Sequence, residues 1–226
     1  MILLILIQKK IGLKQIIKII NEYIMNKSIF KDKKILFYGP ANTCDKKSLN
    51  ILNFDYIIIT NNMLDIFFNK YNGNLSCKII HLANQLFCLN YRDTIKRYAD
   101  KIDIILTVAK KSYEHLKKNI NNIDIFLMSD IREIKGTPLG LSRILKLLEN
   151  QEFKELYISG VTFYNGDKIT DCYEDNYITK EGKIYNIFNK DKGVHNIPSN
   201  KRYTRMVCDS NKNIKMCKEL HDILYR

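Results

Sequence analysis

Four histidines stand in the 226-residue chain, and one of them, His195, lies in the polar stretch "GVHNIPSNKRYTRMV" rather than in a regular apolar pattern. A loop imidazole titrates near neutral pH and can take the proton of an attacking hydroxyl, so His195 is the candidate general base. The alternative is an incidental surface imidazole. His81 falls in a strand pattern, and His115 and His221 fall in helical ones, where a structural role suffices.

A second candidate lies in "LYISGVTFYNGD", Leu156 to Asp167, where a strand runs into Phe163, Tyr164 and a glycine turn. A packing aromatic belongs inside the strand, so a tyrosine at the carboxyl end reads as presented to a ligand. The competing reading is that Phe163 and Tyr164 wedge a loop against the core.

Three further loops carry polar or glycine positions. In "FYGPANTCDKKSL" Gly39 and Pro40 make a tight turn, with Asp45 or Ser48 near the start of a helix whose free N–H groups attract phosphate. The spacing matches neither GxGxxG nor GxxxxGK[ST], and a purely structural turn explains it equally well. In "YIIITNNM" Asn61 and Asn62 either cap a helix, the simpler reading, or offer amide groups to a sugar or base. In "EIKGTPLGLSRILKLLE" Thr137 is expected to cap a helix, Pro138 to take its first position, and Gly140 to permit close approach to the backbone.

The elements that must hold these loops alternate along the chain from Lys33. Apolar, β-rich runs ("ILFYG", "YIIIT", "KIIHL", "IDIILTV", "IDIFLMS", "LYISG", "TRMVC") are separated by the helical patterns "DKKSLNIL", "NYRDTIKRYADK", "AKKSYEHLKKNI" and "PLGLSRILKLLENQ". Strands apolar on both faces and separated by helices predict an α/β fold: a Rossmann-like, doubly wound, mostly parallel sheet covered on both sides. The polar segment 166–200 has no periodicity and reads as a lid following a strand's carboxyl end. No repeat or flexible linker divides residues 33–226, so one domain is expected there.

Residues 1–32 read as an N-terminal amphipathic helix, with Ile16, Ile20, Tyr23 and Ile24 on one face and Lys14, Lys18 and Asn21 on others. Docking on the core is the favoured role, and an anionic membrane surface is the alternative. The opening "MILLILI" falls short of the roughly 20 apolar residues of a bilayer span, and no signal-peptide cleavage pattern follows. A cytoplasmic protein, at most peripheral at the inner membrane, is expected.

Six cysteines show no CxxC spacing and no His/Cys metal pattern, so reduced thiols are expected and no metal site. The net charge of +13 points to an anionic partner. Its lysines are dispersed and no aromatic stacking motif accompanies them, which argues against nucleic acid.

The order of these features resembles the bacterial sialyltransferases of glycosyltransferase family 42 and, more distantly, those of family 29. The shared elements are a Gly-Pro turn after the first strand, asparagine after the second, a Thr/Gly loop opening a helix, "LYISGVTFY", and a later histidine. They span roughly Lys33 to Met206. The resemblance implies a GT-A-like variant of the Rossmann-like domain that uses a CMP-sugar donor such as CMP-sialic acid, with no further cofactor. It implies that Gly39 and Pro40 approach the donor phosphate and ribose, and that Asn61 or Asn62 contacts the nucleotide. Ser159 and Gly160 of "LYISG" join that donor site. Thr137 and Gly140 would hold the donor carboxylate, Tyr157 and Tyr164 the departing phosphate, and His195 would deprotonate the acceptor.

The acceptor would be a glycan or lipid-linked saccharide, and a homo-oligomer is compatible with the sequence. The absence of a D-x-D triplet fits metal-independent transfer. The chain departs from the family pattern at Leu139, where Ser or Thr usually precedes the loop glycine, and in "GPANTCD", which lacks the usual Ser-Leu. Another CMP-activated keto sugar acid, such as 3-deoxy-manno-octulosonic acid, is therefore the alternative donor, and a non-enzymatic basic nucleic-acid-binding protein the alternative class.

Overall fold

The computed structural model describes residues 29–61, 63–71, 75–83, 92–128, 131–163 and 196–226. Among these residues seven strands form one sheet: β1 (Lys34–Tyr38), β2 (Tyr56–Thr60), β3 (Lys78–Ala83), β4 (Ile104–Thr107), β5 (Asp124–Leu127), β6 (Glu155–Ser159) and β7 (Ile214–Met216). Their order is β5-β4-β3-β2-β1-β6-β7 and every pairing is parallel. The expected doubly wound, Rossmann-like α/β architecture is therefore the one observed, with the sheet parallel throughout the described residues.

Hydrophobic patterning explains the central position of β1 and β2. All five residues of β2 are buried, as are the last four of β1, because each strand has a layer on both sides. Helices α1 (Met63–Lys70), α2 (Arg92–Arg97) and α3 (Lys110–Asn119) lie in the connections that step outward from β2 to β5. Their layer packs around Leu36, Tyr38, Ile57, Ile59, Phe67 and Ile105. Helices α4 (Gly140–Leu148), α5 (Ile197–Ser210) and α6 (Lys218–Tyr225) belong to the second core, around Phe37, Ile58, Leu82, Leu145, Ile158 and Leu220.

Three local expectations are corrected. "TRMVC" is not a strand but the middle of α5. Its Thr and Val imitate a strand, yet the buried set Asn200, Tyr203, Thr204, Val207, Cys208 repeats at helical spacing, and Asn196 Oδ1 accepts the Ser199 N–H as N-cap. Residues 197–200, counted above with the lid, form the first turn of this helix. The last strand is instead the three-residue β7, too short to show a pattern.

"DKKSLNIL" forms two separate 3-10 turns, Cys44–Lys47 and Ile51–Asn53, rather than one α-helix. Between them Asn50 turns its side chain onto its own backbone, its Oδ1 accepting the Leu52 N–H at 3.1 Å. Finally, α4 begins at Gly140, with Leu139 as N-cap. Thr137 and Pro138 thus precede the helix rather than starting it.

The N-terminal helix expected within residues 1–32 falls mostly on residues 1–28, outside the described residues, as does lid segment 166–195. Among the described residues no helix is long and apolar enough to cross a membrane, and Cys44, Cys77, Cys208 and Cys217 are free thiols.

Candidate functional site at the carboxyl edge of the sheet

Parallel strands all end on one edge, and the chain leaves β1 towards β2 but leaves β6 towards β7. The boundary between β1 and β6 is therefore the topological switch point, where open α/β sheets bind ligands. Both strands run into glycine there. The Gly39 N–H donates to the Ser159 carbonyl and the Ala41 N–H to the Gly160 carbonyl, each at 2.8 Å. The two glycine backbones are so close that a Cβ on Gly39 would lie 2.2 Å from the Gly160 carbonyl oxygen. Gly160 also has φ of +73°, in the left-handed region.

Polar side chains lock this junction. Thr43 Oγ1 accepts the Gly160 N–H at 3.1 Å and lies 3.4 Å from Ser159 Oγ. Lys46 is only 3% exposed; its Nζ donates to the Gly39 carbonyl at 2.6 Å and stands 4.0 Å from the Tyr38 ring centroid. A carbonyl and an aromatic face both favour a buried ammonium. A lysine in a run of charges gave no sign of this role in the sequence.

Across the edge lies the start of α4. Here a Cβ at Gly140 would meet Leu82 Cδ2 and Thr60 Cγ2 at 3.3 Å, so the glycine lets the helix approach strands β2 and β3. Leu139 supplies no capping side chain, and Asn200 of α5 substitutes for one. Its Oδ1 accepts from the Leu139 N–H and from the Ser142 hydroxyl, both at 2.8 Å, while its Nδ2 donates to the Asn196 carbonyl at 2.8 Å. The Lys135 N–H donates to Ser199 Oγ at 3.0 Å. The first turn of α5 thus holds the loop containing Thr137 and Gly140. Asn200, fully buried, was missed by sequence reasoning because the partners that it caps, Leu139 and Ser142, are more than fifty positions away.

The remaining candidates divide. Gly39, Pro40, Gly160, Thr137 and Gly140 come to the carboxyl edge. Ser159 reaches it too, but its side chain is fully buried against Thr43. Asn61 follows β2 with φ of +45°; its N–H donates to the Leu82 carbonyl, and its carbonyl meets His81 Nε2 at 3.0 Å. Tyr157 lies two residues inside β6, its ring 6.4 Å from that of Phe54. Burial first, and then the Asp45 carboxylate beside it, push its hydroxyl well above the ordinary tyrosine range.

Phe163 is buried, with φ of +51°, and packs into the core as a wedge. Lys201 Nζ lies 6.0 Å from its ring centroid. Arg205 is tied instead to Asp209 and Tyr225 on the exposed side of α5. Asn62, Tyr164 and His195 lie outside the described residues.

One more polar group sits beside the edge, where the turn Cys44–Lys47 meets the start of α6. The Cys44 N–H donates to Glu219 Oε1 at 2.8 Å, and Asp45, Cys217 and Glu219 bring potential ligand atoms within 4.8 Å of one another. The sequence predicted no metal ligands because these residues are remote along the chain and follow no ligand spacing. Burial pushes the Cys217 thiol up to about 11.

Comparison with protein-family models, with curated protein sequences and with solved structures finds no match to this chain.

Proposed function

We propose that the chain is a glycosyltransferase that moves a sialic-acid-like sugar from a CMP-activated donor to a glycan or glycolipid acceptor. The observation that carries this reading is the Gly39/Gly160 junction at the switch point. The two glycines there pack backbone against backbone, and the Lys46 ammonium held on the Gly39 carbonyl puts a positive charge at the carboxyl edge, where such sheets bind anionic ligands. The sugar and the transfer rest on the resemblance to the sialyltransferases.

In the proposed reaction an acceptor hydroxyl oxygen bonds to the anomeric carbon as the bond from that carbon to the CMP phosphate oxygen breaks. The bonding electrons leave with CMP, and His195 takes the acceptor proton. Negative charge grows on the phosphate, so the fixed positive charge of Lys46 near Gly39, Pro40 and Gly160 lowers the barrier. Tyr164 is the tyrosine assigned to the phosphate. Tyr157 is left out, since its hydroxyl lies beside the Asp45 carboxylate. Thr137 and Gly140, at the start of α4, are assigned to the donor carboxylate, and Asn61 or Asn62 to the nucleotide.

Leu139 offers no hydroxyl at the N-cap of α4. This favours keeping the donor class at CMP-activated keto sugar acids, 3-deoxy-manno-octulosonic acid included. The test is CMP release from CMP-sialic acid and from CMP-3-deoxy-manno-octulosonic acid by the parent and by His195→Ala. The expected result is release from one donor, lost in the variant while calorimetric CMP binding persists. If CMP is neither bound nor released the reading fails, and steeply salt-dependent RNA binding would then favour the nucleic-acid alternative.

A further inference from the structure

The turn Cys44–Lys47 and the first residues of α6 come from opposite ends of the chain and meet beside the carboxyl ends of β1 and β6. Their junction concentrates acidic groups. Glu219 is anchored by the Cys44 N–H at 2.8 Å, and Asp45, Cys217 and Glu219 each direct a potential ligand atom to within 4.8 Å of the others. Cys217 is 1% exposed. Both oxygens of Asp45 are shut off from solvent and neither makes a hydrogen bond of ordinary geometry, the Tyr157 hydroxyl being the group beside them. A carboxylate removed from water and left short of donors is costly, and a second carboxylate beside it adds repulsion. A bound cation would remove both costs.

We propose that Asp45, Cys217 and Glu219 form a binding site for a divalent transition cation, zinc by the chemistry of its donors. One sulfur with two carboxylates suits a borderline-soft ion, whereas calcium and magnesium take oxygen alone. Tetrahedral ligands of one zinc lie about 3.3–3.8 Å apart, so displacements of about an ångström in these side chains close the site. Three protein ligands leave a fourth position for water. The ion would tie the loop after β1, which carries Thr43 and Lys46, to the start of α6. It would thereby brace the Gly39/Gly160 junction from the β7 side. The site stands independently of the transferase reading, since its readout is metal binding by the full chain.

The experiment titrates metal-free full-length protein with zinc against a chromophoric chelator, and in parallel with cobalt(II) followed by absorption. One ion per chain is expected, with a sulfur-to-cobalt charge-transfer band. The band should vanish in Cys217→Ser and survive in Cys44→Ser. Asp45→Asn and Glu219→Gln should each weaken zinc binding about tenfold or more. Because Cys217 is buried, those two carboxylate variants keep the test valid should Cys217→Ser fail to fold, with circular dichroism as the check. Absence of zinc binding, affinity unchanged in both carboxylate variants, or a band lost in Cys44→Ser but kept in Cys217→Ser would overturn the proposal.

Discussion

Two strand ends on the same edge of the sheet solve one problem in opposite ways. After β1, the Gly39 carbonyl meets Lys46 Nζ at 2.6 Å; after β2, the Asn61 carbonyl meets His81 Nε2 at 3.0 Å. Both side chains are almost wholly buried, at 3% and 0% exposure. His81 is desolvated in a central strand, and its ring is held neutral, with its titration lowered to about 4. Lys46 lies over the Tyr38 ring, whose face favours a cation. One strand end is thus built around a neutral ring and the other around an ammonium. The difference teaches where an anion would be drawn: to the boundary of β1 and β6, where the strands also end in glycine.

The most damaging way to break this contrast is Gly39→Ala. Its new Cβ would stand 2.2 Å from the Gly160 carbonyl oxygen, an atom of paired backbone that cannot swing aside. A loss of at least about 3 kcal/mol is expected in urea denaturation. An alanine variant within about 1 kcal/mol of the parent would mean the two strand ends are not in contact.

Next comes acid. The unfolded His81 binds a proton below its ordinary value of 6.5, whereas the folded ring does so only near 4. Stability is therefore fully present above pH 6.5 and is lost as pH falls towards 4, by about 3 kcal/mol in all. The His81→Gln variant should lose this component, which chemical denaturation at pH 7 and pH 5 would detect as a flatter dependence.

Lys46→Met is expected to do less to stability, about 1–2 kcal/mol, because its aliphatic length still fills the space while the Gly39 carbonyl loses a donor. It sharpens the comparison in another measurement: calorimetric CMP affinity should fall about tenfold, whereas His81→Gln should leave it within about twofold. Equal effects of the two variants on CMP would erase the distinction between the strand ends. The smallest change is Arg205→Ala, whose exposed ion pair to Asp209 spans 3.7 Å. Less than about 0.5 kcal/mol should be lost in thermal or urea denaturation, since such pairs contribute little in water.

Much of the scaffold could be read directly. Strands such as "YIIIT" are apolar on both faces, and that property already implies layers on either side and a parallel arrangement. Helix α3 followed its expected bounds closely, since the pattern of "KKSYEHLKK" is local. The reading failed where short-range signals compete. Thr204 and Val207 favour strand locally but belong to a helical stripe, and Asn50 interrupts what looked like one helix. Of the candidate site, the turn at Gly39 was legible as glycine at a strand end, whereas Gly160 entered only with the resemblance. The contributions of Thr43, Lys46 and Asn200 were not legible, because each acts through partners that the local sequence does not reveal.

The sequence by itself determined the class of fold: alternating apolar runs and amphipathic segments can bury themselves as a doubly wound sheet, and that information lies between near neighbours in the chain. Only the tertiary structure decided that β1 pairs with β6 as well as β2, and so that Gly39 faces Gly160 and Asp45 meets Cys217 and Glu219. The physical reason is that strand order emerges from packing whole layers against each other. No residue's neighbours along the chain encode which distant strand end will lie a few ångströms away.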